Sequence, residues 1–191
     1  MWLSMNRLIC VCIAGFLLWC TGCQNPSGEV PVAIVPTNFD STLIGINATS
    51  FYQKGIRAKG VKVGIIDLGF HLAPKDKKLQ SLFENNLIAE VRDFTNSHQQ
   101  DFYSSTSYLD WHGKQVLNLI GGLDVTTKTQ YGIANEATFY LAITDHADQE
   151  SRDEEANLLA ALAWFNSQGV IIVHSSLGYN YCVDDPKENY L

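Results

Sequence analysis

The sequence predicts an α/β domain built on a parallel sheet, and three observations carry that prediction. Short runs rich in valine, isoleucine and other apolar residues recur at residues 62–67, 138–144 and 170–173. These read as strands buried on both faces, and Ile88 to Phe94 reads as a further strand. Between them lie stretches with helix start and stop signals, and strands alternating with helices fold as a parallel sheet covered by helices. The expected form is a three-layer domain with the 62–67 strand central. That strand ends on Asp67, with Gly69 close behind. Open α/β sheets gather their chemistry at the carboxyl ends of their strands. A charge at that position is costly unless something pairs with it.

In order along the chain, the first element is a leader. Arg7 supplies a positive start, and Leu8 to Leu18 is an apolar run too short to span a bilayer. It closes on Cys20-Thr21-Gly22-Cys23, which resembles a bacterial lipobox. That resemblance implies a signal peptide over 1–22, lipidation of Cys23, and a lipid anchor at the cell envelope. Without an Asp after Cys23, the analogy favours the outer membrane or the surface. The alternative is an ordinary cleaved signal. Residues 23–40 read as a tether, and 30–46, with Pro31 and Pro36, as an extended segment over the surface.

The domain proper is expected over 41–191. Asn47-Ala48-Thr49-Ser50 can cap a short helix through Lys54, stopped by Gly55. Gly60 turns the chain into the Asp67 strand. His71 to Asn86 reads as a loop with a helical turn, and 95–110 as an insertion loop. His112 to Gly122 reads as a helix, with Val116, Leu119 and Ile120 on one face and Gly121-Gly122 as its stop. A helix start is electropositive and favours a neutral imidazole, which suits His112 to a base. Ser151 opens a capping-box helix to Gln168, with Leu158, Leu159, Leu162 and Phe165 as its apolar stripe and Gly169 as its end. The last strand runs on into Ser175-Ser176-Leu177-Gly178.

Composition narrows the function. Of 191 residues, 46% are hydrophobic and 17% charged, which suits one packed domain and a leader. The net charge of -7 argues against a nucleic-acid partner, because phosphate binding needs a basic face. Four of the five cysteines fall in the leader, so the remainder has no disulfide framework, and Cys182 reads as a plain side chain. His71, His98, His146 and His174 have no ligand spacing and read as surface or polar-core residues. Trp111 and Trp164 read as packing residues. No metal or cofactor is implied, and no structural calcium site is indicated.

Four pieces then stand in order: Lys62-Val63-Gly64-Ile65-Ile66-Asp67-Leu68-Gly69, His112-Gly113-x-x-Val116, Gly132-Ile133-Ala134-x-x-Ala137-Thr138-Phe139-Tyr140, and Ser175-Ser176-Leu177-Gly178. Together they resemble the front half of a subtilisin-like serine peptidase, a subtilase. The resemblance covers roughly residues 40–180. It implies a subtilisin-like fold, incomplete at the C-terminus, with 88–94 outside 138–143, then 62–67, then 170–175. It also implies peptide-bond hydrolysis by an Asp-His-Ser triad on peptide or protein substrates. In it Asp67 orients His112, and His112 moves the serine proton. Ser175, Leu177 and Gly178 become the strand edge that pairs with the substrate backbone.

The chain departs from that family in two ways. Lys114-Gln115 follows His112-Gly113, where the family has small or hydroxyl residues. The Gly-Thr-Ser context of the family's nucleophile and the Ala-Gly-Asn context of its oxyanion residue do not occur in these 191 residues. The expectation is therefore a peptidase portion carrying Asp and His but not the Ser, inactive alone by this mechanism. A non-catalytic peptide-binding surface lipoprotein, a pseudopeptidase, is the alternative. A metal hydrolase using Asp67, Asp110 and His112 ranks last, because the ligand spacing is wrong.

Overall fold

The computed structural model describes residues 35–95, 101–104, 108–145 and 153–178. The leader, Cys23, Ser151 and Cys182 lie outside them. In chain order, β1 (Asn38–Phe39), α1 (Ser41–Gly45) and α2 (Thr49–Gln53) lead into β2 (Lys62–Asp67). Next come α3 (Gln80–Glu84), β3 (Ile88–Asp93), α4 (His112–Gly121), β4 (Leu123–Asp124) and β5 (Thr129–Gln130). β6 (Thr138–Ile143), α5 (Asp153–Ser167) and β7 (Ile172–Ser175) follow. The protein is mixed α/β, with a four-stranded parallel sheet ordered β3-β6-β2-β7 and flanked by helices. That strand order is the expected one.

Strand alternation divides the apolar residues between two cores. From β2 and β6, Val63, Ile65, Phe139, Leu141 and Ile143 face Val116 and Leu117 of α4. Their alternates Ile66, Tyr140 and Ala142 face Ala161, Trp164 and Phe165 of α5. Each fully buried Ile, Leu or Phe here contributes roughly 1.5–3 kcal/mol. Gly64 lets α5 come close to the sheet: a Cβ there would sit 2.6 Å from the Phe165 ring.

Several expectations are corrected. Residues 38–45 are not simply extended. Phe39 and Asn38 pair with β5 in a small second sheet, ordered β1-β5-β4, and Asp40 caps α1 by accepting from the Thr42 N–H at 2.9 Å. Asn47 does not cap α2: its φ is +57°, and Ala48 precedes the helix without a side-chain bond. His71 to Asn86 has its expected helical turn, a 3-10 turn at Ala73–Lys75, and α3 in addition. On α4 the buried face is Gly113, Val116, Leu117 and Gly121, while Leu119 is 59% exposed. On α5 Leu159 and Leu162 lie toward solvent, and Ala161, Trp164 and Phe165 make the contact. β7 is exposed along its whole length rather than buried, because it is an edge with β2 as its one strand neighbour among the described residues. Gly169, at φ +71°, ends α5 as expected.

Candidate active site

Asp67 is the last residue of β2 and His112 the first of α4. The chain brings these ends together through close backbone packing. His71 N–H donates to the Asp110 carbonyl at 2.9 Å, tying the segment after β2 to the residues before α4. A Cβ on Gly113 would lie 2.5 Å from the Gly69 carbonyl oxygen and 2.8 Å from Asp67 Cβ. Only glycine lets the first turn of α4 settle so near the strand end.

His112 Nδ1 lies 2.9 Å from Asp67 Oδ1 and 3.0 Å from Oδ2. A carboxylate only accepts, so Nδ1 carries the hydrogen and Nε2 keeps its lone pair. The Leu68 N–H also donates to Oδ1, at 2.9 Å. Asp67 is fully buried, whereas the His112 side chain is 41% exposed. Burial pushes the Asp67 carboxyl above its ordinary 3.8; the His112 hydrogen bond and charge, the Leu68 N–H and the charge of His174 oppose it without prevailing. The arrangement is a buried anion steering an accessible imidazole, which is what a base needs: a fixed tautomer and a free nitrogen.

The remaining site residues fall beside this pair. Ser175 pairs with Ile66 at the end of the β2–β7 ladder and is exposed. Ile66 belongs to the α5-side core, so the Ser175 side chain points to that side, and Leu177 packs against the same core. Gly178 is exposed, with open space where a Cβ would stand. Cys23 lies outside the described residues.

Two residues on the Asp67 face of the sheet were missed. His174 pairs in register with Ile65, which faces α4, so its side chain shares the Asp67 and His112 side of the sheet. Ser176, two residues on, returns to that side, and its Oγ is 2.7 Å from His174 Nε2. The sequence signal was present in the i, i+2 spacing of His174 and Ser176, but it needed the β2–β7 register to be read.

Among the described residues, no group of three or more His, Cys, Asp or Glu is placed to hold a metal ion. No helix among them is long and apolar enough to cross a membrane. What the fold and site define is an α/β protein with a carboxylate–imidazole pair at the carboxyl end of a parallel sheet. No protein-family model matches the chain, and a search of curated proteins finds no match.

Proposed function

We propose that this chain carries the acid–base half of a subtilisin-like serine endopeptidase site, on a protein exported and lipid-anchored through Cys23 at the bacterial cell envelope. The observation that carries this reading is the His112 Nδ1 contact with both Asp67 oxygens, at 2.9 and 3.0 Å. Support for the subtilisin-like fold comes from the order β3-β6-β2-β7 and from the four sequence motifs standing on it. The leader of Arg7, Leu8 to Leu18 and Cys23 supports the anchor.

In this mechanism Asp67 holds the Nδ1–H tautomer of His112. Nε2 takes the proton of a serine hydroxyl as it attacks the scissile carbonyl, then gives it to the leaving amine. The buried carboxylate stabilises the imidazolium in between. An extended peptide or protein substrate lies along the open β7 edge, held by main-chain hydrogen bonds to Ser175, Leu177 and Gly178. The family's serine and oxyanion motifs are not among these 191 residues. The exposure of that edge favours a second reading, a pseudopeptidase that binds peptides without cleaving them.

Two measurements test this. Proton NMR of His112 should show a far-downfield Nδ1–H that disappears in Asp67→Asn; a spectrum without it removes the acid–base pair. Reading the coding DNA beyond the Leu191 codon should reveal a Gly-Thr-Ser frame. A stop codon there in several independent isolates selects the pseudopeptidase instead.

A further inference from the structure

The α4 side of the sheet holds a serine–imidazole contact that the Asp67–His112 reading does not use. We propose that Ser176 and His174 form a nucleophile–base pair on the same face of the sheet as Asp67 and His112, which accepts acyl groups from esters. The inference rests on the reading of that face as a hydrolytic site.

Five observations lead to it. Ser176 Oγ and His174 Nε2 are 2.7 Å apart, the distance at which a hydroxyl donates to an imidazole nitrogen. Parallel pairing sets His174 beside Ile65, on the α4 face, and the last ladder pair is Ile66 with Ser175. Ser176 is therefore the next residue, level with Asp67 and on its side of the sheet. Leu177, the alternate, packs on the opposite core, which fixes the direction of its neighbour. His174 stands near enough to Asp67 for its charge to favour the carboxylate. Both Ser176 and His174 are exposed, so an incoming acyl group reaches them without a change in the fold.

The step is ordinary acyl transfer. Ser176 Oγ forms a bond to the ester carbonyl carbon while its proton passes to His174 Nε2. The carbon–oxygen bond to the alcohol breaks as the imidazolium returns the proton to the departing oxygen. Water, deprotonated by the same nitrogen, then releases the acid and restores Ser176. Esters fit this pair better than peptides, since an alkoxide leaves more readily than an amide nitrogen.

The test is to treat the purified chain with a fluorophosphonate probe and map the adduct by tandem mass spectrometry. The expected adduct is on Ser176, at one per chain, and is lost in Ser176→Ala. His174→Gln should slow labelling about 100-fold or more, the usual contribution of a general base, and added imidazole should restore part of the rate. Labelling spread evenly over exposed serines, or a rate indifferent to His174→Gln, overturns the proposal. The His112 Nδ1–H signal is followed in every sample. If it persists while Ser176 stays unlabelled, this inference fails and the acid–base pair stands. If it is absent from the wild-type chain, the reading of that face fails and this inference with it.

Discussion

Gly113→Ala tests the packing that brings the site together. The added Cβ would stand 2.5 Å from the Gly69 carbonyl oxygen, 2.8 Å from Asp67 Cβ and 2.9 Å from Phe70 Cε1. Only the Phe70 ring belongs to a side chain that can turn, and it is fully buried. The other two atoms are backbone and the base of the catalytic candidate, so α4 itself must retreat. Ordinary contact begins at 3.4 Å, which asks for about 0.9 Å of movement against the Gly69 oxygen. Overpacking of this kind costs about 1–3 kcal/mol, and the rigidity of both neighbours places this case near the upper end. The same movement would stretch the Nδ1 contact from 2.9 Å beyond hydrogen-bond range. Urea denaturation should report the lost stability, and the downfield His112 Nδ1–H should vanish. Gly45→Ala is the control. That glycine ends a helix with nothing within 4 Å of the added atom, so it should lose nothing and gain up to about 1 kcal/mol. A Gly113→Ala protein within about 0.5 kcal/mol of wild type, with its Nδ1–H signal intact, would refute the close-approach argument.

Three further perturbations probe other parts of the same structure. Burial raises the Asp67 carboxyl above 3.8, so the folded chain holds that proton more tightly than the unfolded one. Its ionisation then costs stability as pH rises from 3.8 through the raised value, and Asp67→Asn should flatten that part of the stability–pH curve. Parallel curves for the two proteins across this range would contradict the assignment. Phe165→Ala removes a ring that is 1% exposed and packed over Gly64, and should cost about 3–5 kcal/mol by urea midpoint. A loss below about 1 kcal/mol would show that α5 does not seal that face. Ile172→Lys places a charge on an edge strand where Ile172 is already 51% exposed. Light scattering during concentration should fall while the urea midpoint holds, and unchanged aggregation would clear β7 as the adhesive edge.

Three of the four strands of the main sheet were legible as compact runs of β-branched and other apolar residues bounded by turn signals, while β3 carries Glu90, Arg92 and Asp93 among its six residues. That Asp67 would meet His112 was an expectation of the subtilase resemblance alone, and the glycines that let the two backbones come close became readable only in the structure. What escaped the sequence was set by neighbours rather than by the segment itself. Residues 170–173 are as apolar as a buried strand, and composition does not say that, among the described residues, β7 has β2 alone beside it. In α5, leucines, alanines and aromatics encircle the helix, so the leucine stripe looked as good as the true contact through Ala161, Trp164 and Phe165. The small sheet of β1, β5 and β4 has two-residue strands with asparagine, threonine and aspartate in them, and carries no periodic signal. His174 and Ser176 became visible only once the register with β2 placed them on the α4 side.

The physical case for a functional site rests on features that each oppose stability. Asp67 is wholly buried, and burial outweighs every hydrogen bond and charge that favours its anion. An apolar residue of similar size at such a position is commonly as stable or more so. Gly69 and Gly113 carry the larger conformational entropy of glycine in the unfolded chain, and they sit where any Cβ would strike the facing segment. All three converge on the orientation of one half-exposed imidazole, whose Nδ1 they fix and whose Nε2 they leave available. A chain shaped for stability alone gains nothing from that convergence. Local rules are broken together at this one point, while the cores on both faces of the sheet obey them, and that pattern is what the proposed acid–base role requires.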